Sequence, residues 1–207
     1  MTGYHQNLLP GETYHLFSRA VGSEKIFLYP ENYLFFLQKL RHHTSGVCRL
    51  YCYALMPNHF HLLALMREEE VITKHFEEVK KIKFNPSEHD LSDFIMERFS
   101  NFLNSYTKAF NKVNNRNGAL FMDYLKRSKV SRDSDFTSYV WYLHKNAVHH
   151  QLAKIIGEWP YDSYLPLLSS KPTSLLRDEV IEWFGSKQAF IEFHNRPVEP
   201  KINILDM

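Results

Sequence analysis

The spacing of apolar residues changes period several times along the chain, and each change marks an element. Residues 14–18, Tyr-His-Leu-Phe-Ser, read as a short strand closed by the turn-like Val21-Gly22-Ser23. Pro30 suits the first turn of a helix, whose apolar face is Tyr33, Phe36, Leu37 and Leu40 and which Gly46 ends. Residues 47–56 and 60–66 are two apolar, β-prone runs separated only by Pro57-Asn58-His59, which is hairpin spacing. Residues 67–90 carry charges of both signs without a clear period, and the expectation there is a mobile insertion. From Leu91, helical spacing continues through Phe94, Ile95, Phe99, Phe102, Leu103, Tyr106, Phe110 and Val113. Residues 114–118 end that helix, and residues 119–130 read as a further extended segment. Residues 131–134 offer caps for another helix, with Phe136, Val140, Leu143 and Ala147 as its stripe.

The order is strand, helix, strand, strand, helix, strand, helix. Its first six elements predict an α+β, ferredoxin-like antiparallel sheet, β-α-β-β-α-β, with helices on one face. Beyond Trp159-Pro160 a loop rich in Ser and Pro precedes two short helices, expected near 175–184 and 186–194. We divide the chain into a main domain, 1–165, and a small helical C-terminal extension, 166–207.

Composition adds little at first. With 207 residues, 44% hydrophobic and 23% charged, the chain is an ordinary globular one. No run approaches the ~18 apolar residues of a membrane helix, and the N-terminus lacks a signal-peptide pattern, so a cytoplasmic protein with no membrane association is expected. Cys48 and Cys52 read as buried thiols. A formal net charge of +2 is silent about partners. Its distribution is not even. Lys108, Lys112, Arg116, Lys126, Arg127, Lys129 and Arg132 stand against the single acid Asp123, a local net of +6. Such a run is commonly a solvated face, and it serves equally as a phosphate track.

The chain holds 12 His and 12 Tyr, so only spacing can single any of them out. In an extended strand His59 and His61 point one way while Phe60 and Leu62 point the other. Two imidazoles side by side make half of a metal site, or a chance pairing in a His-rich chain. On the helix after residue 134, Tyr142 and Asn146 lie four apart beside the Leu143 and Ala147 stripe, on a face continued by Ser138 and His149. Alone, Tyr142 reads as a boundary tyrosine. Tyr139 has Leu143 four residues on and no polar partner there, Tyr106 falls on a core stripe, and His15 reads as structural within its strand. His42-His43 and His149-His150 read as solvated helix ends. No His-Glu-x-x-His, Gly-rich phosphate loop or Cys-pair pattern is present.

Five segments in order carry a resemblance. Met56-Pro57-Asn58-His59-Phe60-His61-Leu62-Leu63 resembles the HUH motif of single-tyrosine insertion-sequence transposases, most closely that of the REP-associated tyrosine transposases. Tyr14-His15-Leu16-Phe17-Ser18-Arg19 with Lys25-Ile26-Phe27 resembles that family's first strand and turn. Residues 98–112 resemble its long helix, and residues 118–129 the strand that follows. Tyr142-Leu143-His144-Lys145-Asn146 with Val148 resembles its Tyr-Ile-His-x-Asn-Pro-Val signature, and Trp159-Pro160-Tyr161-Asp162-Ser163-Tyr164 its closing segment. The match spans residues 13–165. Ala147 replaces the signature's proline, and Met122-Asp123-Tyr124-Leu125 replaces a more polar, Gly-containing turn.

The resemblance implies that His59, His61 and Asn146 hold Mg²⁺ or Mn²⁺ and that Tyr142 is the nucleophile of a bacterial single-stranded DNA endonuclease and strand transferase. It implies DNA transposition through a 5′-phosphotyrosine intermediate, on an imperfect-palindrome hairpin, by a monomer or homodimer. The basic run, with Phe121 and Tyr124 as stacking platforms, would then follow the DNA. Two alternatives are a domesticated hairpin-binding protein that does not cut and an HUH replication or conjugation nickase.

Overall fold

The computed structural model describes residues 5–122, 125–130 and 135–196. Four antiparallel strands form its sheet: β1 (Thr13–Arg19), β2 (Cys48–Met56), β3 (His59–Met66) and β4 (Lys126–Lys129), in the order β2-β3-β1-β4. Helix α1 (Pro30–Thr44) connects β1 to β2, while α2 (Glu69–Lys80) and the long α3 (Leu91–Val113) lie between β3 and β4. Then follow α4 (Phe136–His149), α5 (Tyr164–Leu168), α6 (Arg177–Phe184) and α7 (Lys187–His194). This is the expected α+β, ferredoxin-like order with one added helix between β3 and α3.

That added helix corrects the expectation of a mobile insertion. Ile72 and Phe76, one turn apart, are buried and join the main core, and Phe76 meets the Phe94 ring at 5.1 Å. Its other positions are mostly charged or exposed, so two buried contacts carry the helix and the sequence period is faint. The extended segment expected over 119–130 is also shorter in fact. Among the described residues of that segment, strand geometry is confined to β4, with an isolated bridge between Ala20 and Phe121 upstream. Residues 131–134, expected to cap α4, lie outside the described residues; its N-cap is Asp135, whose side chain makes no capping bond.

Strand alternation divides the interior into two cores, one on each face of the sheet. Phe60, Leu62, Leu16 and Tyr14 point to the face covered by α1 and α3, where Phe36, Phe99, Phe102 and Tyr106 meet them. Leu63, Ala54 and Met56 point to the other face, covered by Val140, Leu143 and Ala147 of α4. A bulge between Leu50 and Cys52 resets the alternation of β2, which lets the consecutive Tyr51 and Cys52 both bury on the α4 side. Leu167, Leu176, Val180 and Phe190 extend this second core. These residues of the C-terminal extension therefore share their apolar contacts with the sheet and α4. Cys48 and Cys52 are free, buried thiols, as expected.

A buried chain of polar groups ties α7 to α4 and β2. His194 Nδ1 is 2.7 Å from the Phe190 carbonyl, His194 Nε2 is 2.9 Å from His144 Nδ1, and His144 Nε2 is 2.9 Å from Ser163 Oγ. Ser163 Oγ also lies 2.9 Å from the backbone N–H of Tyr53. One assignment satisfies every member with both rings neutral. Tyr53 N–H donates to Ser163, Ser163 O–H to His144 Nε2, His144 Nδ1–H to His194 Nε2, and His194 Nδ1–H to Phe190. Burial favours this neutral state, holding His194 down at about 4 and His144 well below the usual range.

An imidazole whose pKa is lower folded than unfolded contributes stability above the unfolded value, near 6.5, and loses it as pH falls toward the folded one. Asp162, pushed up to about 7 by burial, acts in the opposite sense, so a variant comparison is needed to isolate the histidine. Urea denaturation at pH 7.5 and pH 5 should show a loss of stability on acidification that is smaller in His194→Gln by at least ~1 kcal/mol.

Candidate active site

The site lies on the α4 face of the sheet, where β3 enters from the hairpin. His59 and His61 share that face because they are two apart on one strand, and their ring centroids stand 5.2 Å from each other. Both are buried, at 5% and 2% exposure. From α4, Asn146 brings its Oδ1 to 3.1 Å from His59 Nε2, and Tyr142, one turn earlier, places its half-buried ring edge-on to His61 with centroids 5.9 Å apart. The four residues picked out in the sequence therefore meet at one place, from two elements far apart in the chain.

Burial sets the charge state. It pulls His59 down to about 4, with the like charges of His150 and Arg19 adding to the effect, while the hydrogen bond to Asn146 acts against it. His61 is held well below the usual histidine range, first by burial and then by His15 and His59. Both rings are neutral at physiological pH, which keeps nitrogen lone pairs available.

The donor set suits a cation. His59 Nδ1 lies 2.8 Å from Asn58 Oδ1 and its Nε2 3.1 Å from Asn146 Oδ1. A neutral ring has one N–H for these two oxygens. With that proton on Nδ1 and donated to Asn58 Oδ1, Nε2 and Asn146 Oδ1 are two lone-pair donors face to face. Adjacent ligands about 2.1 Å from an octahedral ion stand about 3 Å apart, the separation found here. Among the described residues no group of three or more His, Cys, Asp or Glu side chains could hold a metal; the oxygen donor that stands beside the His59 imidazole is the amide of Asn146.

Three further residues belong to this neighbourhood although sequence reading set them aside or passed over them. His15, read as structural, places Nε2 2.8 Å from His61 Nδ1. His150 is exposed, as expected of a helix end, but its ring is 4.7 Å from that of His59. Arg19 is paired directly across from His59 and is exposed on the same face. Pairing register would have revealed Arg19 and His15, and register is not written in either strand alone. Tyr139 is buried in the second core, with its ring 5.6 Å from that of His15.

The basic run divides between the two faces. Phe17 is paired with both His61 and Lys126, so Lys126 lies on the site's face two strands from His61, with Nζ 5.9 Å from the Phe17 ring centre. Arg127 and Lys129 pair with Leu16 and Tyr14 and point to the opposite face. Arg127 binds the carbonyls of Gln6, Leu125 and His5 at 2.5, 3.1 and 3.3 Å, and Lys129 pairs with Glu12 at 2.8 Å. Arg116 pairs with Glu24 at 2.5 Å and binds the Gly118 and Ala119 carbonyls. Lys108 and Lys112 are exposed on α3, across the sheet from Tyr142. Phe121 packs toward Phe60 and Tyr106 at 6.0 and 6.2 Å. Tyr124 and Arg132 lie outside the described residues.

No protein-family model and no curated protein matches the chain. Among solved structures it is similar to one described as a REP-associated tyrosine transposase bound to a REP hairpin. The TM-score is 0.57 at 14% identity, over 84% of this chain and 90% of that one. This likeness agrees with the four-stranded antiparallel sheet and its helices and defines the fold class. No helix among the described residues is long and apolar enough to cross a membrane.

Arg127→Ala should cost about 1–3 kcal/mol in urea denaturation, because it leaves the carbonyls of Gln6, Leu125 and His5 without their donor.

Proposed function

We propose that the protein cleaves and rejoins single-stranded DNA at a hairpin, with Tyr142 as nucleophile and His59, His61 and Asn146 as ligands of Mg²⁺ or Mn²⁺. The observation that carries this reading is the meeting of Tyr142 with two neutral imidazoles and one amide oxygen in a single buried corner. The resemblance in five segments and the likeness to a transposase bound to a REP hairpin support the same substrate class.

In this reading Tyr142 attacks the scissile phosphorus in line. The phenol gives up its proton to solvent, its oxygen forms a bond to phosphorus, and the bond from phosphorus to the 3′-oxygen breaks. That oxygen leaves as a hydroxyl after taking a proton, and the 5′ end stays attached to the tyrosine. A second strand's 3′-hydroxyl reverses the steps, so the phosphoester is conserved and no nucleotide triphosphate is needed. A bound divalent ion supplies Lewis-acid polarisation of the phosphate oxygens. Arg19 and Lys126 offer positive charge on the same face for the strand's phosphates, while the edge-on packing against His61 keeps the Tyr142 ring over the site.

Incubating the protein with single-stranded hairpins and Mn²⁺ should give a covalent protein–DNA species that Tyr142→Phe and EDTA each abolish while hairpin binding persists. An adduct surviving in Tyr142→Phe would rule out the nucleophile, and binding with no adduct in the parent protein would favour a hairpin-binding protein that does not cut. Lys126→Ala should weaken every strand alike and reduce the slope of log affinity against log salt by about 0.7. A change in sequence preference alone would contradict a phosphate contact.

A further inference from the structure

His15 lies on β1, diagonal to His61 across the β1–β3 ladder, and is 1% exposed. Diagonal neighbours on one sheet face come within reach when both carry rings. Here His15 Nε2 stands 2.8 Å from His61 Nδ1, with the rings 12° from coplanar. Phe17 stacks on His15 at 4.8 Å, and Tyr139 and Tyr142 flank it at 5.6 and 6.5 Å, so the ring has little freedom to turn.

Two neutral imidazoles share one proton at such a contact, and there are two ways to place it. If His15 Nε2 carries it, His61 Nδ1 accepts, and His61 must then hold its own proton on Nε2, aimed into the site. Among the described residues neither ring has another hydrogen-bond partner, so this arrangement leaves the His61 Nε2–H without an acceptor and the reverse one leaves the His15 Nδ1–H without one; what separates them is what faces the corner of His59 and Asn146, here a proton. If His61 Nδ1 carries the proton, His15 Nε2 accepts it and His61 Nε2 keeps a lone pair directed at the corner shared by His59 and Asn146. Histidines that bind metals are generally fixed in this way, by an acceptor on the ring's far nitrogen.

We propose that His15 is a positioning residue that holds His61 as its Nδ1–H tautomer and so reserves the His61 Nε2 lone pair for a divalent cation. This rests on the metal-assisted reading above. It assigns a role to a third histidine, on a third element, that touches neither DNA nor the ion.

The test begins without metal or DNA. In the ¹⁵N-labelled full chain, long-range ¹H–¹⁵N correlation spectra should show His61 protonated on Nδ1 and unprotonated on Nε2. His15→Phe, which keeps a ring beside Phe17 and removes the acceptor, should shift His61 toward the other tautomer. It should also lower Mn²⁺ affinity, read from the spin resonance of the free ion, by at least ~tenfold. His15→Gln, whose Oε1 can reach the place of the lost nitrogen, should restore both readouts toward the parent values, and a purely space-filling role for His15 would give the reverse order. Should His15→Phe fail to fold, the parent spectrum and His15→Gln still decide the matter. A parent His61 protonated on Nε2, or unchanged Mn²⁺ affinity in folded His15→Phe, overturns the proposal. If the parent shows the Nδ1–H tautomer and binds no Mn²⁺, the tautomer assignment is upheld and the metal-assisted reading of the site falls instead.

Discussion

The parity of β3 is the constraint on which the rest of the structure depends. Phe60, Leu62 and Ala64 fill the core under α1 and α3, while His59, His61 and Leu63 face α4. Side chains alternate with a period of two, so a slip of one residue would send both imidazoles into a wall of Phe36 and Phe102 and expose Phe60 to the site. The two cores hold the register from both sides. The bulge in β2 serves the same end. By resetting that strand's parity beside Cys52, it allows Cys52, Ala54 and Met56 to pair with Leu63, His61 and His59 on the site's own face.

Once the register is fixed, desolvation does the chemical work. An imidazole buried among Ala54, Leu63 and Ala147 cannot easily hold a proton. The surroundings that secure packing therefore also keep the imidazole nitrogens neutral. The amide of Asn146 belongs to the same logic, since it brings an oxygen to His59 at no cost in buried charge. A carboxylate at that position would have been desolvated whenever no cation was bound. Tyr142 sits one turn away at the edge of the buried zone, where its ring packs against His61 and stays half-exposed.

Much of the fold was legible because it follows periodicity. Short apolar, β-prone runs at hairpin spacing located β2 and β3, a similar run located β1, the apolar stripe located α3 almost to the residue, and spacing along α4 placed Tyr142 beside Asn146. The failures share a physical cause. Helix α2 rests on Ile72 and Phe76, too few apolar positions to set a period against ten mostly polar neighbours. His15 and Arg19 gain their meaning from strand pairing, a nonlocal relation that neither β1 nor β3 encodes alone. The basic run divides between faces for a related reason. Counting charges along the chain adds residues that a four-residue strand sends to opposite faces, so Lys126 shares a face with His61 while Arg127 and Lys129 are engaged elsewhere.

The C-terminal helices fit this scheme as part of the site's support. Helix α4 touches the sheet along one stripe, and its N-terminal end has no side-chain cap. Something else must prevent it from rolling, because a turn of some tens of degrees would carry Asn146 away from His59. The chain from Phe190 through His194, His144 and Ser163 to Tyr53 supplies that restraint, since it fixes α4 at His144, two residues from both Tyr142 and Asn146. Each bond in it has one permitted direction when both rings are neutral, which makes the arrangement specific as well as cohesive. Loss of α7 would therefore loosen the positions of Tyr142 and Asn146 before it unfolded the sheet, so α7 belongs physically to the support of the corner that holds His59, His61, Tyr142 and Asn146.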